Sequence, residues 1–153
     1  MPKTSLSPNR VNFFLFFKLP SAWWCGVRLS ELNAKFAKST VTHKWLNQNP
    51  FKSMYFAVQA MAAELTTGAL VMQEIQKSKR NISMLVLENQ SFFHKKAKGK
   101  ITFECLQGDE VSNAIQKCIS TKEGVTLNLK SSGYNEKKEL VSHFQFVWTI
   151  KLK

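Results

Sequence analysis

Twenty-three consecutive residues, MYFAVQAMAAELTTGALVMQEIQ from Met54 to about Gln76, follow directly on Asn49-Pro50-Phe51 and contain no proline. They are rich in Ala, Met, Leu, Gln and Glu, all good helix formers. Met54, Val58, Met61, Leu65, Ala69, Met72 and Ile75 recur at a helical rather than a strand period. Ala57, Ala60, Gly68 and Val71 form a second small, apolar stripe, so the run is expected to be one long helix, buried on most of its circumference. Glu64 sits on that second stripe, four residues after Ala60 and four before Gly68. A carboxylate there is costly unless paired, protonated or useful, which makes Glu64 either a paired structural acid or part of a site.

The remaining segments read as wrapping for this helix. Ser7 is a candidate N-cap with Pro8 at the first helical position, opening an aromatic-faced helix that ends before Pro20. Val27 and Leu29 alternate with Arg28 and Ser30, and after a turn at Asn33-Ala34 a second strand runs from Phe36 to Trp45, with Val41, His43 and Trp45 on one face. Beyond the central helix, a polar break from Lys77 to Asn81 leads into a long strand from Ile82 to about Lys95. Lys98-Gly99 marks the next turn, and Ile101, Phe103 and Cys105 then alternate with Thr102 and Glu104.

Gly108-Asp109-Glu110 opens a short helix with acids where its dipole favours them, and Val111, Ala114, Ile115, Cys118 and Ile119 make its apolar stripe. Val125, Leu127 and Leu129 begin another strand, and Ser131 to Asn135 reads as a hairpin loop. In the last strand Phe144, Phe146, Trp148, Ile150 and Leu152 point one way. Six antiparallel strands around one long helix, with an N-terminal helix and a short helix between strands 4 and 5, is an α+β layer architecture.

At 153 residues the chain is expected to form a single domain over 1–153, with residues 1–20 as a helical extension. The net charge of +12 favours phosphorylated, nucleic-acid, acidic-protein or anionic-membrane partners. Half of that excess lies between residues 77 and 100, where Lys77, Lys79, Arg80, Lys95, Lys96, Lys98 and Lys100 face only Glu88. Nucleic acid is not expected, because no basic strand face carries interleaved aromatics and no recognition motif occurs.

The three cysteines and three histidines are dispersed, without disulfide or metal-ligand spacing, which excludes a metal site and fits a reducing, cytoplasmic setting. The apolar run Val11 to Phe17 is interrupted by Lys18, lacks a small-x-small cleavage site and is too short to span a bilayer. Contact of Phe13, Phe14, Phe16 and Phe17 with a membrane surface, beside Arg10 and Lys18, stays open as an alternative to packing on the domain.

This element order resembles the hotdog fold. The segment Tyr55-Phe56-Ala57, six residues, Glu64, then Leu65-Thr66-Thr67-Gly68 looks like the superfamily pattern His-Gly-Gly, six residues, Glu or Asp, and a small-residue turn ending in Gly. Lys18 to Arg28 resembles the entry to the first strand in an uncharacterised, thioesterase-like branch of that superfamily, and Phe92 to Gly99 the end of its third strand.

The resemblance implies hydrolysis or binding of acyl-CoA or acyl-carrier-protein thioesters by a homodimer or homotetramer whose sites form between subunits. Coenzyme A enters as part of the substrate, and no cofactor is implied. Carried over by position, the amides of Phe56 and Ala57 polarise the thioester carbonyl, Glu64 is general base or nucleophile, and Thr67 bonds the water or the carboxylate. Tyr55 lies beside the substrate. Asn49 either caps the loop into the helix or orients a carbonyl, and Lys95, Lys96 and Lys98 either bind coenzyme phosphates or a carrier protein or form a solvated turn. The sequence departs from the pattern where Tyr55-Phe56-Ala57 stands for His-Gly-Gly. A side chain at Phe56 restricts approach to the backbone, so a non-catalytic acyl-ligand binder is the alternative.

Overall fold

The computed structural model describes residues 6–153, so Lys3 and the first residues of the expected extension lie outside it. In chain order the elements are α1 (Pro8–Lys18), α2 (Pro20–Trp24), β1 (Arg28–Leu32), β2 (Ala37–Thr42), a 3-10 turn (Trp45–Asn47), α3 (Phe56–Ser78), β3 (Ile82–Phe93), β4 (Lys100–Cys105), α4 (Gly108–Thr121), β5 (Val125–Tyr134) and β6 (Leu140–Leu152). The six strands form one antiparallel sheet in the order β1-β2-β4-β5-β6-β3. α3 packs against its inner face, giving the α+β arrangement expected of a hotdog fold. Among the described residues no helix is long and apolar enough to cross a membrane.

Period-two patterning decides which side of the sheet is buried. Ile101, Phe103 and Cys105 of β4, Leu129 of β5, and Phe144, Phe146, Trp148 and Ile150 of β6 meet Ala62, Ala63, Leu70 and Val71 of α3 in a single core. Four polar contacts key the helix to the sheet. The Ser39 hydroxyl donates to the Ala62 carbonyl at 2.6 Å, Thr66 bonds Ser131 at 2.8 Å, Ser142 donates to Gln59 Oε1 at 2.8 Å, and Trp148 Nε1 donates to Thr67 Oγ1 at 3.0 Å. All lie in the interior, where an unpaired polar group costs about 1–3 kcal/mol, so rotating or sliding α3 by one residue would forfeit all four together.

Three local expectations are corrected. Pro20 does not merely end α1; it occupies the first turn of a second short helix, α2, a position that tolerates a missing N–H. Trp45 is not on a strand but starts the 3-10 turn, where its side chain is exposed. Ser131 to Tyr134 continue β5 rather than looping, because Ser131 is bonded to α3 and Gly133 passes under the Phe103 ring, leaving the turn to Asn135 through Glu139. A Cβ on Gly133 would stand 2.4 Å from that ring.

Candidate functional site

The chain enters α3 through a loop built on two asparagines. Buried Asn47 donates to the Cys25 and Thr42 carbonyls, both at 2.9 Å, and accepts from the Lys44 amide, while its own carbonyl accepts from the Tyr55 amide at 2.9 Å. Asn49 accepts through Oδ1 from the amides of Phe51 and Ser53 and donates through Nδ2 to the Ser53 hydroxyl at 3.1 Å. Asn49 thus holds the loop, the first of the two roles its position allows. Asn47 was not anticipated, although an Asn-rich stretch ahead of an uncapped helix was the available signal.

Tyr55 is the N-cap of α3 and makes no side-chain capping bond. The Val58 and Gln59 amides both reach the Tyr55 carbonyl. Phe56 and Ala57 come before any intrahelical acceptor, and among the described residues no loop carbonyl or side chain takes their N–H groups. The positive end of the helix dipole is therefore presented outward, with two donors in hand.

Phe56 borders a cavity of about 590 Å³ lined by Asn49, Tyr55, Gln59, Phe93, Lys95 and Lys96 among others, whereas Ala57 is not among its lining residues. Its walls are aromatic: Phe56 packs edge-on to Tyr55 at 4.9 Å and to Phe93 at 6.4 Å between ring centroids. Its rim is basic. Lys95 pairs with Glu139 at 2.6 Å, and no acid pairs with Lys96 among the described residues. Lys98 does not line the cavity. The structure thus brings together Asn49, Tyr55, Phe56, Lys95 and Lys96, and adds Phe93 and Gln59.

Glu64 lies elsewhere on α3. Eight residues beyond Phe56, it is about 12 Å away along the axis. It borders a separate crevice of about 150 Å³ between α3 and the N-terminal helices, with Leu15, Leu19, Ser21, Ala22, Met61 and Leu65. The side chain is half-buried, and among the described residues nothing hydrogen-bonds or pairs with its carboxylate. Burial raises its pKa above the ordinary carboxylate value. The helix face carrying it, with Ala57, Ala60 and Met61, is only partly covered, whereas Gly68 and Val71 further along the same stripe are buried. Thr67 does not reach the carboxylate. Its hydroxyl donates to the Glu64 main-chain carbonyl at 2.9 Å and accepts from Trp148, which commits it to the core.

The chain shares this fold with solved bacterial proteins. A protein of unknown function from Pseudomonas aeruginosa, described as a probable thioesterase, is similar at TM-score 0.80 and 21% identity, with 98% of this chain and 99% of that one covered. A protein of unknown function from Chlorobaculum tepidum superposes at TM-score 0.82 and 17% identity, with 97% and 99% covered. A thioesterase from Haemophilus influenzae follows at TM-score 0.71 and 11% identity, with 98% and 94% covered. No protein of curated function matches the sequence. The fold is a hotdog, and the family model described as Domain of unknown function (DUF4442) matches residues 8–150, so the chain belongs to that family.

Proposed function

We propose that the protein is a thioesterase-like hotdog protein that takes up acyl thioesters of coenzyme A or of an acyl carrier protein. The observation that carries this reading is the uncapped start of α3, where Phe56 borders an aromatic cavity rimmed by Lys95 and Lys96 and the Ala57 amide follows it in the same open first turn. Backbone donors fixed at a helix start stabilise the oxyanion that forms when a thioester carbonyl is attacked, a contribution of about 10²–10³ in kcat per donor. The apolar walls suit an acyl chain, and the lysines suit phosphate or an acidic carrier.

Glu64 supplies the base or nucleophile, and its distance from Phe56 supports a site shared between two chains. Sites about 12 Å apart on one helix cannot both touch a single carbonyl. A catalytic pair therefore needs the amides of one subunit and Glu64 of another, which makes a homodimer the minimal active unit.

The test is hydrolysis of an acyl-CoA chain-length panel by wild type, Glu64→Gln, Phe56→Ala and Phe56→Pro. Proline at the first helical position removes the amide donor at little structural cost, and Tyr55 already has the extended backbone that a following proline requires, at φ −63° and ψ 138°. Glu64→Gln is expected to abolish turnover, and Phe56→Pro to lose about 10²-fold more than Phe56→Ala. Turnover that survives Glu64→Gln removes Glu64 from the reaction.

One observation favours a second reading, an acyl-ligand binder without turnover. The Phe56 ring is packed against Tyr55 and Phe93 at the mouth where the family pattern has glycine. Co-purified acyl species in the mass spectrum, with no hydrolysis of any thioester, is its signature.

A further inference from the structure

α1 is a surface helix whose outer side is largely aromatic, with Asn9, Arg10 and Lys18 exposed beside the rings. Val11 and Leu15 face the core, and Asn12 is bonded to β1, yet the opposite side carries Phe13, Phe14, Phe16 and Phe17. Aromatic side chains in such number are ordinarily buried, but Phe13 remains 68% exposed and Phe17 60%. The rings are linked, Phe13 to Phe17 at 4.9 Å, Phe16 to Phe17 at 4.8 Å and Phe16 to Trp23 of α2 at 5.3 Å.

The patch continues past α2. Trp24 is 67% exposed, and the adjoining 3-10 turn, tied to Cys25 through Asn47, presents Trp45 at 81% together with Leu46. Exposed apolar groups on this scale mark an interaction surface.

The charges carried by α1, α2 and the Trp45 turn are of one sign. Arg10 and Lys18 lie on α1 and Lys44 caps the turn, while the Glu64 carboxylate borders the crevice beneath α1 and α2. Lys18 ends α1, the Arg28 guanidinium lies 3.4 Å over the Trp23 ring, and Lys44 precedes Trp45. A second copy of this chain, meeting the patch through its own, would set these cations against one another. An anionic surface complements them, and phenyl and indole rings among lysines are the composition that partitions into a lipid interface.

We propose that α1, α2 and the Trp45 turn form a peripheral docking surface for an anionic bilayer, with Phe13, Phe17, Trp24 and Trp45 in the interface and Lys18 and Lys44 against the headgroups. The proposal stands independently of thioester chemistry. Leu15, Leu19, Ser21 and Ala22 of the same two helices wall the Glu64 crevice, so docking sets that crevice beside the lipid.

The test is co-sedimentation of the full chain with vesicles of phosphatidylcholine alone and of an equal mixture with phosphatidylglycerol, with tryptophan emission read in parallel. Wild type is expected to bind the anionic vesicles with a blue shift that salt weakens. Lys18→Glu is expected to weaken binding by roughly tenfold. The triple variant Phe13→Ser, Phe17→Ser, Trp24→Ser is expected to abolish binding while keeping its circular dichroism spectrum and melting temperature. Three results overturn the proposal: no binding to anionic vesicles, binding that survives the triple variant but is lost on replacing Lys95, Lys96 and Lys98, or a triple variant that turns an oligomer into monomers in sedimentation velocity.

Discussion

At Glu64, burial beneath α1 and α2 disfavours the charged form, with no cation or donor among the described residues to offset it, which gives the residue two pH signatures of defined sign. Its folded-state pKa stands above the unfolded value, so the native chain binds the extra proton. The stabilisation is complete below the unfolded pKa and is lost as pH rises through the folded one. Glu64→Gln removes that loss, and its melting temperature is expected to exceed that of wild type at neutral pH, with the difference shrinking toward acid. If Glu64 is also the base, the acid limb of kcat/KM in the wild type falls above the ordinary carboxylate range. The awkwardness of this carboxylate was legible from the apolar residues around it in sequence. Its distance of about 12 Å from Phe56 was legible too, from the eight-residue spacing on one helix, but the crevice around it was not, because the α1 and α2 residues that wall it are far away in the chain.

Among the elements, α1 is held by its buried Val11 and Leu15 and also by one polar side chain. Asn12 donates through Nδ2 to the Leu29 carbonyl at 2.9 Å and accepts from the Leu29 amide at 2.8 Å, so it pairs with β1 as a neighbouring strand would. Asn12→Ala leaves both backbone groups without protein partners in a part-buried position. It is expected to cost about 2 kcal/mol, seen as a lower denaturant midpoint and faster hydrogen exchange at the Leu29 amide. The helix itself was readable from Ser7 and Pro8, since the cap and first turn need only local chemistry, and the Ser7 hydroxyl does accept from the Arg10 amide. The extent of β5 was not readable. Serine and glycine at 131 to 133 carry loop chemistry in isolation, and only contact with Thr66 and Phe103 makes them strand residues. The extent of the central helix was readable from its period, but its coverage was not, because one sheet covers one side and leaves Ala57, Ala60 and Met61 partly exposed.

For the whole molecule, the two margins of the sheet are treated unequally. The β1 margin is closed by Asn12. The β3 margin, 12 residues over Ile82–Phe93, has no strand beyond it among the described residues. Leu85 and Leu87 are 64% and 62% exposed there, beside a bulge between Val86 and Glu88. An open edge about 40 Å long is a template for pairing, and it accompanies the partly covered face of α3 on which the proposed two-subunit site rests. Leu85→Lys with Leu87→Lys is expected to leave monomer stability within about 0.5 kcal/mol while shifting a dimer to monomers in sedimentation velocity, with loss of any thioester turnover. The four polar keys between α3 and the sheet have a bearing on how such a chain can diversify. Because Ser39, Thr66, Ser142 and Trp148 fix the rotation of the helix, substitutions at Ala57, Ala60, Met61 and Glu64 alter what the outward face does without altering where it points. The fold thereby separates heritable change in chemistry from heritable change in shape.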